Sequence, residues 1–533
     1  MKLLTIVFLL SSNLFYGQTL KKPKLVVGIV VDQMRYDYLY RYLDKYSDKG
    51  FKKLINEGFN CKNTQYHYAV TFTGPGHAHI FNGSVPALSG IIGNNWFDRN
   101  KNQSIYVSSD PDVVTVGEGG VKSGQMSPRN MLVTSIGDQL RLSNQFKSKV
   151  IGIALKDRGA IFPAGHTGMA YWFDTATGNW ITSSYYLQNL PKWVQEFNDR
   201  HLPDAYLKNK WETMLSVNQY VESEEDDQPY ENAVLVKNKV TFPYELSDYS
   251  KIMSAPAGNT LTKDFALSAI RNEELGQHAF TDFLSISFSA TDYVGHASGT
   301  HSVEIEDTYL RLDKDIGEII SVLEQSLGKE NILIFLTADH GVADIPAFSK
   351  KNKINAGVYW GGESISLTEK VIKNHFNASK WIKTMENQQI YFDLDSVSKY
   401  PEALDKIFRG LKDSLNTREG VYTTINLKDF SGNTIPTNFA EMIRNSYHPG
   451  RSGDVMILLE PGWLEGYTKG TTHGTMYAYD THVPLLWYGY NIKKKNLYRK
   501  ILIADIAPTL AQILDILEPS GNVGVPIVEL LNN

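Results

Sequence analysis

Six short runs of almost unbroken apolar residues constrain the fold of this chain most tightly. They are Leu25–Val31 (LVVGIVV), Val150–Leu155 (VIGIAL), Phe283–Phe288 (FLSISF), Ile332–Leu336 (ILIFL), Val455–Leu459 (VMILL) and Val483–Tyr488 (VPLLWY). Each has the length of a single strand, and a strand lacking apolar/polar alternation suits a sheet covered on both faces. Helical patterns lie between them. Leu312, Ile316, Ile319, Ile320 and Leu323 share one helix face, as do Ile506, Leu510, Ile513, Leu514 and Leu517, with Asp505 placed as N-cap and Pro508 in the first turn. Strands alternating with helices predict an α/β protein: a three-layer α/β/α sandwich with a mostly parallel central sheet.

The 533 residues allow three or four domains on length alone. Two stretches fit the alternation poorly: 160–280, rich in Trp, Tyr, Asn and Asp and containing the acidic run Glu224–Asp227, and 342–450. Both are read as insertions into one domain spanning 19–533, and the acidic run as a solvated loop. Residues 1–18 read as a signal peptide, because Lys2 precedes an apolar run, Leu3–Leu10, that is too short to cross a bilayer. The expectation is a periplasmic or secreted protein, and no later segment reads as a membrane span. Cys61 is the only cysteine, which excludes an intramolecular disulfide and cysteine-rich zinc motifs. A metal must then be held by His and carboxylates. The net charge of −5 offers no global basic field for nucleic acid or an anionic membrane, so an anionic substrate would need a local cationic site.

Chemistry-bearing residues collect where the strands end. Leu25–Val31 runs into Asp32, Phe283–Phe288 into Asp292 and His296 (SATDYVGH), and Ile332–Leu336 into Asp339 and His340 (LTADHG); His473 sits in a Gly/Thr loop (KGTTHGTM). Ligands of open α/β sheets bind just beyond the carboxyl ends of the strands. Three Asp and three His without Cys form an oxygen/nitrogen ligand set suited to zinc, manganese or iron. In Thr71–His77 (TFTGPGH), Thr73 stands where a helix begins, either as a simple N-cap or as a nucleophile at a phosphate-binding helix N-terminus. Lys156 and Arg158 (ALKDRGA) follow the second run and are either a surface pair or the cations a phosphate dianion requires. Asn94 (IIGNNWFDR) is a turn residue or a donor to a phosphoryl oxygen.

Taken in order, VVDQMRYD, TFTGPGHA, GIIGNNWFD, ALKDRG, the D-x-x-x-H segment, TADHG and TTHG resemble the alkaline phosphatase superfamily, and in particular its phosphate-irrepressible, PafA-type bacterial alkaline phosphatases. The resemblance covers nearly the whole mature chain and implies a phosphate monoesterase that works through a phospho-threonine. It implies two zinc ions, one held by Asp292, His296 and His473, the other by Asp32, Asp339 and His340 with Thr73. Asn94, Lys156 and Arg158 would contact the transferring phosphoryl group. The implied partners are small phosphate monoesters, with no nucleic acid bound as a partner; a monomer is expected. A sulfatase is disfavoured because the nucleophile position holds Thr73, not Cys or Ser. A nucleotide pyrophosphatase/phosphodiesterase or a phosphonate hydrolase of the same superfamily is the competing enzyme reading. An inactive zinc-binding protein on the same fold is the competitor from another class.

Overall fold

The structure, a computed structural model, describes residues 21–429 and 435–531. The expected signal peptide, residues 1–18, lies outside the described residues. Among those described, an 11-stranded sheet dominates. Its centre is built from β1 (Leu25–Val31), β2 (Phe59–Gln65), β3 (Val150–Ala154), β4 (Met169–Asp174), β5 (Asp282–Phe288), β6 (Ile332–Thr337) and β7 (His482–Gly489), in the spatial order β2-β7-β6-β1-β5-β3-β4. The β6-β1-β5-β3-β4 segment is parallel throughout, while β7 runs antiparallel to both β6 and β2. Pro484 lies at a register irregularity in β7, where a residue without an N–H is tolerated.

Helices flank the sheet as two groups. One contains α1 (Thr73–Asn82) and α2 (Asp157–Ala164), with Ile136–Ser143 and Ile506–Leu514; the other contains α3 (Ala290–Ser298) and α4 (Val303–Leu327), with Pro256–Asn272. This is the expected α/β/α sandwich. The predicted apolar face of α4 is buried, Leu312, Ile316, Ile319, Ile320 and Leu323 included. The helix Ile506–Leu514 stops there because Asp515 turns left-handed, and Leu517 is left exposed. Asp505 stands at its N-cap position, yet its carboxylate accepts from the Leu502 and Val525 amides and not from the helix.

One strand belongs elsewhere. Val455–Leu459, expected in the central sheet, is the third strand of a separate four-stranded sheet with Ile382–Glu386, Gln389–Phe392 and Val421–Asn426. An unbroken apolar run states that both faces are covered, but not by what. Here Val455, Ile457 and Leu459 join a core with Ile372, Ile407 and Leu411, while Met456 and Leu458 face Val70 and Ile443. Within 160–280, Met169–Asp174 and Asn179–Ser183 are strands of the central sheet, and Pro256–Asn272 packs against α4 and β5.

Parallel register decides what comes next. Ala154, Ser287, Val30 and Thr337 form one row across β3, β5, β1 and β6. Two residues further along their strands stand Lys156, Asp32 and Asp339, and Ser289, two beyond Ser287, occupies the N-cap position of the helix that carries Asp292 and His296. Residues far apart in sequence are thereby delivered level at one sheet edge.

Candidate metal and phosphoryl site

Asp292 and His296 lie one helical turn apart on α3, with Nε2 of His296 3.1 Å from Oδ1 of Asp292. His473 Nε2 is 3.6 Å from the same oxygen, and Asp292, His296 and His473 form one group with metal-binding geometry. A second group joins Asp32, His340 and Asp292; Asp339 borders it, with Oδ2 3.4 Å from His340 Nε2. The His340 and His473 rings stack at 3.5 Å, so the two groups adjoin.

The hydrogen bonds of the three histidines are informative. Nδ1 of His296, His340 and His473 lies 2.7, 3.0 and 2.7 Å from the carbonyls of Thr471, Gly341 and Thr71. A carbonyl can only accept, so each Nδ1 carries a proton and each Nε2 faces inward, the orientation found in metal-ligating imidazoles. Oδ1 of Asp32, Oδ2 of Asp339 and Nε2 of His340 are buried with no hydrogen-bond partner. Buried polar atoms are ordinarily satisfied, and a cation would satisfy all three.

Charge points the same way. Three buried carboxylates, Asp32, Asp292 and Asp339, face one buried ammonium, Lys156, whose Nζ is 2.8 Å from Asp32 Oδ2 and 2.5 Å from Asp292 Oδ2. Burial and then the charge of Asp339 push the Asp32 carboxyl well above the usual range, with Lys156 opposing. Burial also disfavours the Asp292 and Asp339 anions, yet His296 and Lys156 hold Asp292 well below its ordinary value, and His340 and His77 do the same for Asp339. Burial holds His340 down at about 3. A further positive charge beside Asp32 would favour its ionised form.

Thr73 is buried and is the first residue of α1; Phe72 occupies the N-cap position, so the hydroxyl does not serve as the helix cap. Its surroundings place it beside the metal groups. Thr71 C=O holds His473, the Phe72 ring contacts the His473 ring at 5.5 Å, and His77 Nδ1 is 2.9 Å from Thr73 C=O and 3.3 Å from Asp339 Oδ2. A Cβ on Gly76 would come within 2.2 Å of the Asp339 carbonyl, so glycine permits α1 to approach this closely.

Asn94 accepts from the Gly74 N–H at 2.8 Å through Oδ1, which turns its amide NH2 away from that contact and leaves it as a donor. Arg158 is half-buried, and one Nη sits 2.9 Å from the Tyr106 hydroxyl, which itself donates to Asp157 at 2.7 Å. No carboxylate lies within ion-pair distance of Arg158 among the described residues. Lys156, by contrast, is engaged by Asp32 and Asp292, an ion pairing that local sequence does not encode. The Tyr293 ring faces the Lys156 ammonium at 4.9 Å. The structure thus gathers Asp32, Asp292, His296, Asp339, His340 and His473 with Lys156, and sets Thr73, Asn94 and Arg158 around them. Gln33, His77, Tyr106 and Tyr293 complete the surroundings. His77 lay within the TGPGH motif, but none of the four carried a sequence signal of its own.

The chain is similar to known proteins along most of its length. Residues 26–490 match the family model described as type I phosphodiesterase / nucleotide pyrophosphatase. The alkaline phosphatase PhoV of Synechococcus elongatus is 43% identical, covering 97% of this chain and 94% of its own, and alkaline phosphatase PafA of Elizabethkingia meningoseptica is 42% identical over 96% and 95%. A protein of Myroides odoratus named calcium-transporting ATPase is 45% identical over 97% and 96%. No helix among the described residues of the present chain is long and apolar enough to cross a membrane. The crystal structure of wild-type PafA superposes with a TM-score of 0.92 at 42% identity, covering 96% of this chain and 99% of that one. A solved PafA variant is substituted at a Thr, an Asn, a Lys and an Arg whose sequence intervals equal those separating Thr73, Asn94, Lys156 and Arg158. The chain belongs to the type I phosphodiesterase / nucleotide pyrophosphatase family of the alkaline phosphatase superfamily, among its PafA-type alkaline phosphatases.

Proposed function

We propose that this protein is a zinc-dependent alkaline phosphatase, exported to the periplasm or beyond, that hydrolyses phosphate monoesters through a phospho-threonine and works as a monomer. The convergence of three Nδ1-anchored histidines on orphaned carboxylate oxygens beside Thr73 is the observation that carries the reading. Asp292, His296 and His473 would hold one zinc ion, and Asp32, Asp339 and His340, with Thr73, the other. Bound zinc supplies Lewis-acid charge that makes the threonine alkoxide accessible near neutral pH and offsets charge on the leaving oxygen.

Thr73 Oγ1 attacks phosphorus in line, the bond to the ester oxygen breaks, and the alcohol leaves as the phosphoryl group passes to Thr73. Attack by water then returns free Thr73 and inorganic phosphate. The Asn94 amide and the Arg158 guanidinium, with Lys156, donate to the nonbridging oxygens. Preference for monoesters follows from Arg158, whose charge has no carboxylate partner among the described residues. A monoester offers it an extra anionic oxygen, where a diester carries a substituent. The names of the PhoV and PafA relatives support the monoester reading, and the family model's description supports a diesterase. The terminal phosphoryl of ATP presents the same dianionic group as a monoester, so the site's reach extends to it.

The test is a parallel assay of an aryl phosphate monoester, the matching diester and ATP, with metal analysis of the same sample. The expected result is two zinc per chain, monoester turnover far above diester, and loss of activity on chelation that zinc restores. Full activity in metal-free protein, or faster diester turnover, refutes the proposal.

A further inference from the structure

Gln33 follows Asp32 in a turn closed by the Met34 N–H on the Val31 carbonyl at 3.2 Å. It has φ 65, in the left-handed region that Gly or Asn ordinarily fills at such a turn position. A bulky residue kept in that conformation reports a demand on its side chain or its backbone amide. Both are in use. The Gln33 N–H donates to Asp339 Oδ1 at 3.1 Å, and the side-chain Nε2 donates to Asp292 Oδ1 at 2.7 Å, both in the buried interior. Asp292 belongs to one proposed zinc site and Asp339 to the other. The Asp339 bond takes Oδ1 and leaves Oδ2 as the oxygen without a partner.

A second feature makes room for this bridge. A Cβ on Gly295, one residue before His296, would stand 2.0 Å from Gln33 Oε1. That atom is the far end of a flexible side chain, so a methyl group at 295 would move the Gln33 amide off Asp292 before it moved the backbone.

From this geometry we propose that Gln33 is a positioning residue that fixes the orientation of both carboxylates at once, and that Gly295 exists to seat its amide. The inference rests on the dimetal reading above. Gln33 touches neither substrate nor reacting atoms; it acts by holding Asp292 and Asp339 turned for cation binding. Partners that hydrogen-bond metal ligands typically govern about ten- to hundred-fold in metal affinity.

The experiment measures zinc affinity by competition with a chromophoric chelator on purified wild type, Gln33→Ala, Gly295→Ala and the double variant, alongside zinc content by elemental analysis. Gln33→Ala is expected to weaken retention of zinc about ten- to hundred-fold. Gly295→Ala should do the same, and the double variant should be no weaker than Gln33→Ala, since with the amide at 33 gone the added methyl displaces nothing. Gln33→Met keeps the bulk and removes the amide, and should repeat the loss if Gln33→Ala proves unstable. Additive losses, or variants that hold zinc as tightly as a zinc-binding wild type, overturn this inference alone. A wild type that holds no zinc overturns the dimetal reading and this inference with it.

Discussion

Arg158 offers the cleanest test of how the site distinguishes its substrates. Lys156 is unsuitable, because it also neutralises Asp32 and Asp292, so removing it would change the proposed metal site as well as the proposed phosphoryl site. Arg158 has no carboxylate partner among the described residues, and its one recorded side-chain bond is to the Tyr106 hydroxyl at 2.9 Å. Arg158→Ala should therefore leave zinc content unchanged. A hydrogen bond to a charged group contributes about 1.5–3 kcal/mol, and a guanidinium can offer two to a phosphoryl group. Allowing for the half-exposed position, the loss should be about 3–4 kcal/mol of transition-state stabilisation, or about 10²- to 10³-fold in kcat/KM. A diester places a substituent where the third anionic oxygen would be, so its loss should stay within about tenfold. Tyr106→Phe removes only the hydroxyl that orients the guanidinium; at about 1 kcal/mol it should slow the monoester about fivefold, and should have no further effect once Arg158 is gone. The assay is steady-state turnover of an aryl monoester and diester on zinc-replete enzyme. Equal losses on both esters, or zinc lost from Arg158→Ala, would refute the assignment.

Two further outcomes follow from particular side chains. Thr73→Ala should reduce monoester turnover by several orders of magnitude while zinc content is retained, because Thr73 is the only hydroxyl-bearing residue of α1; near-wild-type turnover would remove Thr73 as nucleophile. His79 is buried, with Nδ1 bonded to the Ser84 carbonyl at 2.7 Å, and burial holds its pKa at about 3. The unfolded chain takes up that proton near pH 6.5 and the folded chain does not, so this stability is complete above pH 6.5 and declines as pH falls toward 3. Between about pH 6.5 and about pH 5 the decline is about 2 kcal/mol. Denaturant titrations at both pH values should show His79→Leu with that much less pH dependence than wild type; identical slopes would show that His79 does not titrate in this way.

Much of the protein was written in local sequence. Unbroken apolar runs such as Leu25–Val31 and Ile332–Leu336 declared strands covered on both faces, because any side of them turned to water would expose apolar surface. The pattern from Leu312 to Leu323 declared the buried face of α4. Asp and His just past strand ends pointed to the candidate site, since parallel strands present their carboxyl ends together. The single cysteine excluded thiolate ligands before any geometry was known.

Tertiary structure decided what local pattern does not encode. Val455–Leu459 reads like the other strands, but its sheet is chosen by long-range pairing with Gln389–Phe392 and Val421–Asn426, and composition does not specify a partner. Thr73 had two local readings, and only the seating of Phe72 at the N-cap removed one of them. Lys156 read as a phosphate ligand, and only register across β3, β5 and β1 shows it also spanning Asp32 and Asp292. Gln33 had no signal at all, because its role depends on a left-handed turn, on two carboxylates more than 250 residues away in sequence and on the open space at Gly295. Sequence determined which residues could do the chemistry, since residue type and period are local. Their mutual distances and charge balance were set by the fold, because they arise from contacts between segments that are remote along the chain.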